Sequence, residues 1–124
     1  VSKVTSMANM FQQNSVFNQN IGSWNVGNVL NMTLMFQSST SFNQNIGSWD
    51  VSNVTNFTNF MQYKSAANFS TTNLDAIYNG WSTRPVKTPI TIHFGTAKYT
   101  AGASAGRAIL TGAPNNWTIT DGGI

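Results

Sequence analysis

Apolar side chains return along this chain at a fixed interval. Val4, Val29 and Val54 are each followed three residues later by Met7, Met32 and Phe57, then by Met10, Met35 and Phe60, and at once by Phe11, Phe36 and Met61. The 3, 3, 1 spacing within each set places four apolar groups on one stripe of a helix, so it predicts short helices of about two turns. Asn28 and Asn53, just before the stripes, are positioned as N-caps. The polar stretch from Gln37 to Ser41 has no period and reads as loop. Further on, Ile46-x-x-Trp49-x-Val51-x-x-Val54 has the L-x-x-L-x-L spacing of a leucine-rich repeat. The alternation of Trp49 and Val51 predicts a short strand with both side chains inward. Ser48, Asp50 and Ser52 then point outward, with Ser23, Asn25 and Gly27 in the matching row one coil earlier.

Between these elements the chain repeats itself outright. Phe17-Asn18-Gln19-Asn20-Ile21-Gly22-Ser23-Trp24 recurs as Phe42-Asn43-Gln44-Asn45-Ile46-Gly47-Ser48-Trp49, 25 residues on. A period of roughly 20–50 residues marks stacked supersecondary units, each too small to bury its own apolar face. The paired Asn18/Asn43 and Asn20/Asn45 fit a ladder role, their amides satisfying backbone groups of the adjacent coil. Together with the Met-Phe pairs and Asp50-Val51-Ser52-Asn53-Val54-Thr55-Asn56, these motifs resemble the BspA-like leucine-rich repeats of bacterial surface proteins over residues 1–62. The resemblance implies a cell-surface or extracellular protein, often adhesive, and carries no catalytic residues with it.

The third copy departs from the pattern: Leu74 falls where Trp49 stood and Ala67 where Phe42 stood. Leu74, Ile77, Tyr78 and Trp81 have helical spacing, with Asn73 as N-cap, Asp75 in the first turn and Pro85 as the stop. Ile90 to Phe94 alternates as a strand, Ala101 to Leu110 reads as a helix, and Trp117 to Ile119 as a strand again. Ile92 to Trp117 and Phe94 to Ile119 repeat the 25-residue interval. The run from Leu110 to Gly123 resembles the closing segment of such repeat proteins in bacteria and in phage structural proteins, and suits a C-terminal cap.

The expected fold is therefore α/β: a right-handed leucine-rich-repeat-like solenoid of about five coils, with short helices on one side and a small parallel sheet on the other. It forms one domain over 1–124, with regular repeats at 1–62, divergent coils at 63–100 and a capping coil at 101–124. The chain opens at Val1 inside a repeat, which suggests a processed product or a piece of something longer, and leaves the first coil open to stacking.

Charge is scarce at 7% of residues, the net charge is +3, and cysteine is absent. The six cations, Lys3, Lys64, Arg84, Lys87, Lys98 and Arg107, are scattered, whereas a nucleic-acid footprint clusters them on one face. No run approaches the roughly 18 apolar residues of a membrane span. Catalysis has little to use. His93 is the single histidine, on an outward strand position, and Asp50, Asp75 and Asp121 are distant from it in sequence. With no cysteine and one histidine there is no metal set, and no cofactor motif. Gly102-Ala103-Ser104-Ala105-Gly106-Arg107 lacks the order of a phosphate loop and reads as small residues for close helix packing. The sequons at Asn31, Asn53, Asn56, Asn68 and Asn116 are those expected by chance in an Asn/Thr-rich chain.

What remains is a non-catalytic surface module, extracellular or on a cell or virion, that adheres to a receptor protein or glycan. The candidate binding residues are the outward row Ser23, Asn25, Ser48, Asp50, Thr91, His93, Asn116 and Thr118. The competing expectation is a self-assembling subunit of an extracellular filament or virion fibre, whose partners are further copies of itself.

Overall fold

A computed structural model describes residues 2–124. In the first two and a half repeats the apolar stripes are not helices. Each is a run of hydrogen-bonded turns: Met10 N–H donates to Met7 O, Gln12 to Asn9 and Asn14 to Phe11, and the same three bonds recur from Met35, Gln37 and Ser39 and from Phe60, Gln62 and Lys64. Asn9 and Gln13, Leu34 and Ser38, Asn59 and Tyr63 all have positive φ, between 53° and 73°. A right-handed helix cannot pass through such residues. The backbone amides gain partners in the next repeat instead. Met7, Asn9, Phe11 and Gln13 donate to the carbonyls of Asn31, Thr33, Met35 and Gln37 at 2.7–2.9 Å, and Met32, Leu34, Phe36 and Ser38 donate to those of Asn56, Thr58, Phe60 and Gln62 at 2.9–3.1 Å. A helix of two turns is marginal in water by itself, and this inter-repeat ladder replaces it.

The expected strand at Trp49–Val51 is likewise replaced by turns, closed by Trp49 N–H to Ile46 O and Val54 N–H to Val51 O. Among the described residues two strands form, β1 (Thr91–His93) and β2 (Thr118–Thr120), and they pair in parallel. Ile92 lies opposite Ile119 rather than Trp117. This register is two residues beyond the 25-residue interval, a slip that keeps every side chain on its original face.

Between the turns and the strands comes α1 (Thr71–Trp81), and after β1 a 3₁₀ turn (Ala101–Ala103) leads into α2 (Ser104–Thr111). The N-cap of α1 is Ser70, not Asn73: its hydroxyl accepts the Asn73 N–H at 3.2 Å. Asp75 is not a first-turn charge but a tie, its carboxylate accepting both the N–H and the hydroxyl of Thr100. The helix lengthens the third repeat, so that Met61 N–H reaches His93 O, 32 residues on. It also supplies an indole. Trp49 Nε1 donates to Ile21 O at 3.0 Å, and Trp81 Nε1 donates to Ile46 O at 3.1 Å. Trp81, not Leu74, thus takes the place of the tryptophan in the third repeat.

A single core joins these parts. Phe36 stacks on Phe42 with centroids 4.1 Å apart and on Phe11 at 5.6 Å, and meets Phe60 edge-on at 5.4 Å; Phe60 meets Phe94 at 6.2 Å. Contacts are closest at the glycines. A Cβ on Gly80 would sit 1.9 Å from Gly47 O, and one on Gly106 would sit 2.6 Å from Tyr78 O. The first seats α1 on the second corner and the second seats α2 on α1.

Candidate functional site

Amides build the corner after each Phe-Asn-Gln-Asn. Asn18 Oδ1 accepts Asn43 N–H at 2.8 Å and Gln44 Nε2 at 3.0 Å; one repeat later Asn43 Oδ1 accepts Ser70 N–H and Asn73 Nδ2. Asn20 and Asn45 close their own turns on the N–H groups of Gly22 and Gly47. Asn28 and Asn53 do not cap helices; their Nδ2 groups donate back to Ser2 O and Gly27 O. These corners leave a groove of about 460 Å³ lined by Asn20, Gly22, Ser23, Asn45, Gly47, Ser48 and Ala76.

The eight residues of the expected outward row do not share one sheet. Ser23 and Ser48 line the corner groove. Asn25 and Asp50 accept the N–H groups of Gly27 and Ser52 within turns. Hydrogen bonds from the Ser52 hydroxyl and amide hold the Asp50 carboxyl below its ordinary range. Thr91 and Thr118 face each other across β1 and β2, and Asn116 precedes β2 at a φ of 53°. His93 lines a second groove. A continuous row would need strands at 23–27 and 48–52, where the chain turns.

The second groove has a volume of about 450 Å³ and is lined by Gln62, Tyr63, Ser65, His93, Thr120 and Asp121, among others. Its position depends on α1 and α2. Asp121 Oδ2 accepts Tyr78 OH at 2.6 Å and Arg107 Nε at 2.9 Å, and its Oδ1 accepts Gly123 N–H at 3.0 Å. The Arg107 guanidinium lies 5.9 Å from the Tyr78 ring centroid and 5.3 Å from that of Tyr99. Burial pushes the Tyr78 hydroxyl far above its ordinary pKa, and the bond to Asp121 adds to the shift. Burial opposes the charge on Arg107, but the Asp121 carboxylate outweighs it and raises the pKa.

Asp121 therefore lies beside His93 despite their separation in sequence, because β1 and β2 are adjacent. Among the described residues no hydrogen bond joins the pair. Both Asp121 oxygens are committed elsewhere, and His93 Nδ1 accepts the Gly95 N–H at 2.9 Å, so no carboxylate orients the imidazole. Gln62 and Tyr63 were outside the expected row. A signal for Gln62 was present in the chain, since Gln12, Gln37 and Gln62 stand 25 residues apart. In the structure they form an amide file, Gln12 Nε2 to Gln37 Oε1 at 2.7 Å and Gln37 Nε2 to Gln62 Oε1 at 2.6 Å.

Among the described residues no three His, Cys, Asp or Glu side chains gather as a metal site, and no helix is long and apolar enough to cross a membrane. The model of the family described as Mycoplasma protein of unknown function, DUF285, matches residues 1–103, and the chain belongs to that family. The match covers the turn repeats, α1, β1 and the 3₁₀ turn, and stops before α2 and β2. No curated protein and no solved structure matches the chain.

Proposed function

We propose that this chain is a non-catalytic, leucine-rich-repeat-like solenoid of the BspA-like kind. It is carried on a bacterial surface, in the extracellular space or on a virion, and recognises a polar protein or glycan. In this reading about five right-handed coils follow one another from residues 7–13 through 31–38, 56–62 and 93–96 to 120–122. The observation that carries it is the use of side chains in the repeats. Asn, Gln and Ser side chains are fixed by bonds to the neighbouring repeat, 25–26 residues away, among them Ser48 in the corner groove and Gln62 in the second groove. Preorganised polar rows reduce the ordering cost of binding a polar partner. Adhesion of the purified chain to host or bacterial cells, and to an array of glycans, tests this. Loss of adhesion on replacing Ser23 and Ser48 together assigns it to the corner groove, and absence of adhesion to any cell or glycan overturns recognition.

One observation favours a second reading, a self-assembling subunit of a filament or fibre. Ser6, Ala8, Met10 and Gln12 occupy the ladder positions of Asn31, Thr33, Met35 and Gln37, yet among the described residues their carbonyls accept no hydrogen bond. An edge of unpaired carbonyls is a template for another coil. In the same coil Phe11, Phe17 and Trp24 are half-buried where Phe36, Phe42 and Trp49 are enclosed. Static light scattering decides between the readings: mass that grows with concentration supports assembly, and a monomer at every concentration removes it.

A further inference from the structure

We propose that the groove between the third repeat and the β1–β2 sheet binds a neutral saccharide, with Tyr63 as the stacking platform. This rests on the recognition reading above and names a site and a ligand class for it.

Tyr63 is 67% exposed, and its backbone φ is +73°. The equivalent positions, Gln13 and Ser38, hold small or polar side chains at 57° and 54°. A bulky residue in the left-handed region carries a conformational cost. Packing does not repay it here, because the phenol ring lies largely in solvent at the mouth of the groove. An exposed aromatic face beside polar groups is the arrangement that takes the C–H face of a pyranose.

The polar groups of the groove are unspent. Gln62 uses its Oε1 to end the glutamine file, and among the described residues its Nε2 has no acceptor. His93 accepts at Nδ1, which leaves Nε2 to carry the ring proton, and among the described residues Nε2 has no partner. The Thr120 hydroxyl is exposed on β2 and offers both a donor and an acceptor. Two donors, a hydroxyl and a ring in about 450 Å³ fall within the roughly 300–1,000 Å³ of small-ligand sites.

Charge selects the class. The Asp121 carboxylate is paired with Arg107 and bonded to Tyr78, and the Lys64 ammonium turns away to the carbonyls of Ser39, Phe42 and Asn68. Neither presents a free charge to a ligand. An anionic sugar would have no cation to meet, whereas hydroxyls of a neutral sugar match the free donors and acceptor.

The test is a glycan array probed with the full chain, followed by calorimetric titration of the neutral saccharides retained. Tyr63→Gly removes the ring and relieves the positive φ, so lost binding in that variant does not arise from lost folding. It is expected to weaken binding about ten-fold or more, with Gln62→Ala weakening it several-fold and Tyr63→Phe staying near the parent. The double variant Ser23→Ala, Ser48→Ala at the corner groove should bind as the parent does. The proposal is overturned if Tyr63→Gly binds like the parent, if only the corner variant loses binding, or if the chain retains acidic glycans alone. If it binds no glycan at all yet adheres to cells, the saccharide site is overturned and the recognition reading stands. If adhesion also fails, both fall.

Discussion

Among the described residues Lys64 is the most deeply buried charged residue, 2% exposed, and it makes no ion pair. Its Nζ donates to Ser39 O and Phe42 O, each at 2.6 Å, and to Asn68 O at 3.3 Å, above the Phe69 ring. The same place one repeat earlier is held by Ser39, whose hydroxyl donates to Asn14 O at 3.3 Å. Lysine makes the same backward bond with a longer arm, and the penalty is desolvation, which lowers its pKa from 10.5 to about 8. Between those values the unfolded chain holds a proton that the folded chain has released, so stability rises with pH across that window and is flat below about 8. Tyr78 acts in the opposite sense above about 10, where the unfolded phenol ionises and the folded one does not. Urea unfolding should therefore show stability climbing by on the order of 2 kcal/mol from pH 8 to 10 and falling beyond. Lys64→Met should abolish the rise. A second residue-scale expectation concerns Trp49, 1% exposed and bonded to Ile21 O. Trp49→Ala should cost roughly 3–5 kcal/mol in the same measurement, and a loss under about 1 kcal/mol would remove the indole from the core.

At the scale of elements, α1 depends on a bare contact between two backbones. With a Cβ only 1.9 Å from Gly47 O, Gly80→Ala must push the helix off the second corner and move Trp81 with it. The expected loss is more than about 3 kcal/mol, whereas Gly102→Ala, whose Cβ meets only Thr100 Oγ1 at 3.4 Å, should be near neutral; thermal melts of the two variants make the comparison. Both α-helices were legible in the chain, α1 from the spacing of Leu74, Ile77, Tyr78 and Trp81 with Pro85 beyond it, and α2 from the run Ala101 to Leu110, whose first turn is 3₁₀. The stripes of the repeats were not. A run of turns that advances about three residues at a time satisfies the same 3, 3, 1 spacing as a helix, so periodicity alone does not separate them. The cue against helix was composition: Asn31 and Thr33 are weak helix formers, and Asn9 and Asn59 are among the residues that tolerate positive φ. Leu34, at the same position in the second repeat, concealed it. The closeness of His93 and Asp121 was illegible for a different reason. It depends on the lengthened third repeat and on a pairing of Thr91 with Thr118 that the 25-residue interval does not contain.

For the whole molecule, cooperation runs between neighbours. Phe42 is enclosed and stacks on Phe36 at 4.1 Å and Phe17 at 5.9 Å, while Phe17 is only partly buried. Phe42→Ala should cost about 3–5 kcal/mol and Phe17→Ala less than half of that. Hydrogen exchange should be graded in the same way, with amides of residues 7–13 exchanging before those of 32–38, and equal protection in both segments would contradict nearest-neighbour stacking. The ladder has a further consequence. In an ordinary sheet the peptide dipoles alternate and nearly cancel. Here the four ladder N–H groups of residues 7–13, and the four of 32–38, all point towards the following repeat, so their dipoles add as they do along an α-helix. The carbonyls of Ser6, Ala8, Met10 and Gln12 lie on the negative side of this ladder, and among the described residues only the Leu30 and Thr55 N–H groups, which donate back to Thr5 O and Leu30 O, oppose it there. With 7% charged side chains there is little surface charge to mask it. The turn repeats thus carry an electrical direction of their own, drawn by backbone amides and fixed by the order in which the repeats follow one another.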